Sequence, residues 1–168
     1  VIGNASDDDD ESASANRVGL RFGSSDRGTA LRESAEGNLT MKGFTGNIES
    51  MAMSNTYFRE VLFTSTHCQL VVMSLAPGED IGSETHPTID QFIRVESGRG
   101  KSVLAGVEHA LSSGSAVVVP AGTEHNIINA STSEPMKLYT VYSPPNHPEG
   151  TVHKTKADAM AHEGASPR

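Results

Sequence analysis

From Tyr57 to Tyr142 the sequence is a succession of short β-prone runs, each closed by a cluster of turn residues, and this constrains the fold more than any other feature. The runs are Tyr57 to Thr64, Gln69 to Leu75, Ile81 to His86, Asp90 to Glu96, Gly100 to Leu104, Val107 to Leu111, Ala116 to Val119, His125 to Asn129 and Met136 to Tyr142. Between them stand Ala76-Pro77-Gly78, Ser97-Gly98-Arg99-Gly100, Ala105-Gly106, Ser112-Ser113-Gly114, Pro120-Ala121-Gly122 and Ser133-Glu134-Pro135. Many short, evenly punctuated strands with no long helical period between them predict an all-β sandwich or closed barrel. A chain of 168 residues suits one core of this kind and is short for two.

The flanks have a different texture. Residues 1–43 are rich in Ser, Gly, Ala, Asn and Asp, and their apolar residues are too sparse to offset the entropy of ordering. They predict a flexible N-terminal arm, with at most a marginal helix over Thr29 to Ala35. The acidic run Asp7 to Glu11 reads as a solvated stretch, since adjacent like charges repel. After Tyr142, the three prolines of Ser143-Pro144-Pro145-Asn146-His147-Pro148 remove ladder donors and end the sheet. The organisation expected is an arm over residues 1–43, a barrel over 44–146 and a C-terminal tail over 147–168, with a short helix over Thr155 to Ala161 and a frayed end.

Composition excludes some partners. A formal charge of -8 without clustered Lys or Arg argues against nucleic acid, and no apolar run approaches the ~20 residues of a membrane-spanning helix. The single Cys68 makes no internal disulfide, so a cytoplasmic location is the expectation.

Two segments carry the chemistry. The stretch Gly114 to Asn129 holds Gly114, Pro120, Gly122, His125 and Asn129 in the spacing G-x5-P-x-G-x2-H-x3-N. Residue frequencies make such a coincidence about a once-in-a-million event per window, so the match identifies a motif. This chain resembles the cupin superfamily over roughly residues 46–146, and this is the superfamily's second motif. The first motif, G-x5-H-x-H-x4-E-x6-G, is matched in spacing from Gly78 to Gly98, with Glu84 in place of the first His, His86 retained and Gln91 in place of the Glu. The resemblance implies a double-stranded β-helix, or jelly-roll barrel.

Alternation along a strand puts Glu84 and His86 on one face, and Gln91 with Ile93 and Val95 on one face. The resemblance implies that Glu84, His86, Gln91 and His125 converge in the barrel on one divalent transition metal. One carboxylate, two imidazoles and a carboxamide oxygen suit Zn, Fe, Mn, Ni or Cu. An enzyme so built would act on a small polar molecule (a sugar, sugar acid or carboxylate) by isomerase, lyase or dioxygenase chemistry, with Glu84 as ligand or base. The alternatives are a binding module that holds a small ligand without metal and a barrel without a working site, where the four residues would form a hydrogen-bonded cluster.

Other features compete less well. Asp90 precedes Gln91 but fits the motif spacing less well, which turns it outward. Gly98-Arg99-Gly100-Lys101-Ser102 resembles the end of a phosphate loop, yet reads as a hairpin turn. His67, His109, His147, His153 and His162 lack ligand spacing and read as surface or loop histidines, while Arg59, Tyr139 and Tyr142 could reach the barrel mouth and orient a substrate, with core or rim packing the role expected of each. Cys68 beside His67 on a strand cannot form a catalytic pair, since neighbours face opposite ways. A homodimer is expected, paired through sheet edges, with Tyr57 to Thr64 as the edge needing cover.

Overall fold

The computed structural model describes residues 43–163; the arm expected over 1–43, except its last residue, the helix at Thr29 to Ala35, the acidic run and residues 164–168 lie outside the described residues. Helix α1 spans Ile48–Ser54 and opens at Asn47, whose side chain accepts a hydrogen bond from the Ser50 amide at 2.9 Å. The strands are β1 Arg59–Thr64, β2 Gln69–Leu75, β3 Asp90–Ser97, β4 Arg99–Leu104, β5 Val107–Ser112, β6 Ala116–Val119, β7 His125–Asn129, β8 Met136–Ser143 and β9 Val152–His153, followed by α2 at Lys156–Glu163.

The strands form a six-stranded sheet in the order β6-β3-β8-β2-β1-β9 and a three-stranded sheet in the order β5-β4-β7, antiparallel throughout. This is the all-β jelly roll that the punctuation predicts. Period-two burial runs along the strands that matter. Met136, Leu138, Thr140 and Tyr142 of β8 are buried, as are Gln91, Ile93 and Val95 of β3 and His125, Ile127 and Asn129 of β7. Ile93, Val95, Leu138, Met136, Met73, Leu75 and Ile127 fill the apolar part of the interior, each aliphatic side chain stabilising the fold by roughly 1.5–3 kcal/mol. Gln69, Gln91, Thr140 and His125 make the remainder polar.

Two glycines make the close approaches possible. At Gly100 a Cβ would overlap the Ile128 carbonyl oxygen, so β4 and β7 meet only because that position is bare. Gly98 has φ +95°, and a Cβ there would press on the Pro135 and Met136 backbone. Gly98 is thus a turn, as expected, and Arg99 to Ser102 begin β4, but the chain passes there from the larger sheet to the smaller, so the expected hairpin is a corner between sheets. Asn129 closes the far end by donating to the carbonyls of Leu75, Ala76 and Glu134 at 3.1, 3.0 and 2.9 Å.

Two expectations need correction. The run Ile81 to His86 is not a strand. Gly82 takes φ +95° and Pro87 follows, so the segment touches β7 only through bridges at Asp80–Ile128 and Glu84–His125. The strand at Tyr57 to Thr64 is not a sheet edge, because β1 pairs with β2 on one side and β9 on the other. Helix α1 was not anticipated, nor was β9. The C-terminal residues hold to the barrel through β9, through the buried Ala159 of α2 and through an ion pair from Lys156 to Asp80.

Candidate metal centre

The second motif delivers His125 with its geometry already fixed. The corner Pro120 to Gly122 is stitched to the first motif by the Gly122 amide, which donates to the His86 carbonyl at 2.8 Å, and the Ala121 amide, which donates to Asp90 Oδ1 at 2.8 Å. Asp90 therefore faces outward and holds the corner, as expected. His125 then enters β7 with its ring inside, 1% exposed. Its Nδ1 is 3.0 Å from the Thr123 carbonyl. A carbonyl only accepts, so Nδ1 carries the proton, and in the neutral imidazole Nε2 is a lone pair.

That Nε2 lies 2.9 Å from Gln91 Oε1, while Gln91 Nε2 donates to Thr140 Oγ1 at 3.0 Å. As oriented, two lone pairs face each other in a buried site. With the ring neutral, two arrangements resolve this. A cation can accept both, since two adjacent ligands bonded at ~2.1 Å and a right angle stand about 3.0 Å apart. Alternatively the amide turns over, so that its N–H donates to His125 and the Thr140 hydroxyl donates to its oxygen.

Glu84 and His86 come from the irregular bridged segment. The backbone of Glu84 exchanges hydrogen bonds of 2.9 Å with that of His125, which sets its side chain beside the imidazole. Glu84 Oε2 is 3.2 Å from His86 Nε2, and one ligand atom from each of Glu84, His86 and His125 lies within 4.8 Å of the others. Among the described residues these three form the Glu/His/His cluster able to hold a metal. The donor set of one carboxylate and two imidazoles fits a borderline divalent ion, and the Gln91 oxygen adjoins it.

The surroundings include residues that sequence reasoning placed elsewhere. Arg59 lies in the core, one of the two places expected of it, and not at the rim. It is buried, with Nη2 at 3.7 Å from Glu84 Oε1 and its guanidinium carbon 5.6 Å from the Phe58 ring centre. Tyr142 is buried and packs edge-on against His86, with ring centres 5.9 Å apart. His147 also packs edge-on with Tyr142, ring centres 5.2 Å apart. Burial, reinforced by the charge of Arg59 and by His153 and His86, pushes its imidazole down to about 3. His153 is buried opposite Arg59 in the β1–β9 register. So His153 is a buried strand residue and not the surface or loop histidine expected, while His147 lies in a loop as expected but is half-buried. His147 is held because Gln69 clamps its backbone, accepting from the His147 amide at 2.9 Å and donating to its carbonyl at 2.7 Å.

Tyr139 stacks with Phe92 at 6.1 Å, away from the cluster, and Cys68 contacts Ser65 Oγ at 3.3 Å in the β1–β2 turn. His109 and His162 are exposed. Thr140 and the Thr123 carbonyl went unnoticed in the sequence, although the parity of β8 places Thr140 on the inner face with Leu138 and Tyr142.

A family model described as a cupin domain matches residues 71–142. The YrkC protein of Bacillus subtilis is 48% identical over 149 residues, 82% of this chain and 80% of its own. A crystal structure of BH2720 from Bacillus halodurans matches with a TM-score of 0.70 and 44% identity, covering 74% of this chain and 98% of that one. The Thermus thermophilus structure TT1209 shares the fold at a TM-score of 0.53 and 24% identity, over 60% of this chain and 96% of that one. With the two motifs, the jelly roll and these relatives in agreement, the chain belongs to the cupin family.

Proposed function

We propose that Glu84, His86, Gln91 and His125 together hold one divalent transition ion (Zn, Fe, Mn, Ni or Cu), and that the chain is a metal-dependent enzyme acting on a small polar molecule by isomerase, lyase or dioxygenase chemistry. The observation that carries this reading is the convergence of Glu84, His86 and His125, one ligand atom of each within 4.8 Å of the others, with Gln91 Oε1 2.9 Å from His125 Nε2. A bound ion would supply Lewis-acid polarisation of a substrate oxygen or an activated water. The protein's own part is positional. Thr123 fixes the His125 tautomer, Thr140 aims the Gln91 amide, Arg59 steadies one oxygen of Glu84, and Tyr142 backs the His86 ring.

A second reading, a small-ligand module without metal, is favoured by one feature. The amide of Gln91 can turn over to pair with His125 and Thr140, so the cluster can be satisfied by hydrogen bonds alone. Replacing Gln91 separates the two. A Gln91→Glu protein titrated with Zn(II) or Mn(II) after chelator treatment should bind about tenfold tighter than wild type, because a carboxylate replaces a neutral amide. If neither protein takes up metal, the binding-module reading stands.

The same proposal has the chain as a cytoplasmic homodimer. Edge strands β5 and β6 carry the exposed Val107 and Val118, and this supports pairing through a sheet edge. The single free Cys68 accords with a reducing compartment.

A further inference from the structure

An antiparallel sheet with one solvated side carries polar residues there, yet the large sheet does not. Phe63, Leu70, Val141, Phe92 and Val118 stand opposite one another in register, strand after strand, on the face turned away from the barrel interior. This apolar row runs across β1, β2, β8, β3 and β6. At its β1 end Phe44 packs on Phe63 with ring centres 6.0 Å apart, so the chain that precedes Phe44 joins the domain at the start of the row. At its other end is an open edge: among the described residues β6 pairs with β3 alone, and Val118 is 64% exposed. Beyond that edge a groove of about 380 Å³ lies between β6 and β5, the outermost strand of the small sheet, with Leu104, Leu111 and Val117 in its lining. A free strand edge beside an apolar groove accepts an extended segment whose alternate side chains are apolar.

The chain itself holds such a segment. Residues 1–42 are too polar to fold alone, but Arg17-Val18-Gly19-Leu20-Arg21-Phe22 puts Val18, Leu20 and Phe22 at every second position. Residues 23–42, at ~3.3 Å each when extended, reach well beyond the roughly 19 Å from β1 to β6 along the row. We propose that residues 17–22 pair with the free edge of β6 of the same chain as a further strand of the large sheet, with Val18, Leu20 and Phe22 turned into the groove and Arg17 and Arg21 outward. A second copy's β6 fits that edge less well. Its inward Val117 and Val119 are already buried in its own barrel, so it has nothing to place in the groove. The added strand is independent of the metal reading and leaves β5 as the edge for pairing between copies.

Amide hydrogen exchange of the full chain, read by NMR, tests this. Wild-type amides within residues 18–22 should exchange about tenfold or more slower than those of a synthetic peptide of residues 14–25. Leu20→Asp, which turns a charge toward the groove, should bring them to within about threefold of the peptide and speed at least one amide of Ala116–Val119 by about threefold or more, with β2 and β8 unchanged. Arg21→Ser, one residue along and on the opposite face, should keep the wild-type protection to within about twofold. Peptide-like exchange in wild type, equal loss in both variants, a general speeding that includes β2 and β8, or protection confined to Leu39–Met41 would each overturn the proposal. Protection that rises with protein concentration between about 10 and 300 µM would overturn the assignment to the same chain and give the edge to a second copy's segment.

Discussion

Gln91 sits on β3, laddered on both sides, and His125 on β7, laddered to β4, and they are 2% and 1% exposed, whereas Glu84 and His86 hang on a segment tied to β7 by two bridges, their side chains 19% and 15% exposed. The two halves of one cluster are therefore built differently. The laddered half is positioned by the same strand pairing that holds the core, so disturbing it disturbs the fold. The bridged half is positioned by a few backbone hydrogen bonds and its neighbours, so it can change with little effect on stability.

The largest effect should come from the laddered half. Replacing His125 by Ala should weaken metal binding at least about 100-fold and also lower stability by roughly 2–3 kcal/mol, because a buried ring is lost and Gln91 loses its partner. Metal titration and denaturant unfolding on the same preparation check both. Equal loss of binding with no loss of stability would break the comparison.

Next comes acid sensitivity, from the wall behind the bridged half. The folded-state value of His147 is pushed from 6.5 to about 3, so below pH ~6.5 the unfolded chain binds the proton more readily than the folded one. The stabilisation is complete above the unfolded value and is lost as pH falls from there toward 3, by up to a few kcal/mol. Unfolding midpoints across that window should drop in wild type and flatten in His147→Gln. An equally steep slope in the variant would assign the acid sensitivity to other groups.

Replacing His86 by Ala should weaken metal binding about tenfold or more while changing stability by less than ~1 kcal/mol, the signature that distinguishes the bridged half. Smallest is Lys156→Met. Burial raises the Asp80 carboxyl, but the Lys156 and Asn126 bonds outweigh it and hold its pKa below the usual 3.8. That stabilisation is present above the unfolded value and is lost as pH falls through the folded one. Since the pair is partly exposed, the cost should stay under about 1 kcal/mol at neutral pH and shrink in high salt.

The same contrast explains what the sequence could tell. Strand β8 was legible because Met136, Leu138, Thr140 and Tyr142 alternate without interruption, and β7 because a motif of fixed spacing runs into it. Ile81 to His86 looked like a strand since its composition is β-prone, but a single positive φ at Gly82 and the proline after His86 override composition. The parity argument still placed Glu84 and His86 together, because the bridge at Glu84–His125 preserves it locally. Helix α1 was too short for a periodic signal and depends on the Asn47 cap. His147 was illegible because its place is set by Gln69, 78 residues earlier, and no local pattern encodes that contact. Arg59 was visible as an inward candidate but not as the neighbour of Glu84, since its position relative to the first motif is a product of sheet order.

The most direct measurement is the metal content of the full chain, expressed without an affinity tag, purified without chelators and read by elemental mass spectrometry alongside His125→Ala. The account predicts about one equivalent of a divalent transition metal in wild type and a small fraction of that in the variant. Less than about a tenth of an equivalent in wild type, with no uptake when Zn(II), Mn(II), Fe(II), Ni(II) or Cu(II) is added, would contradict it.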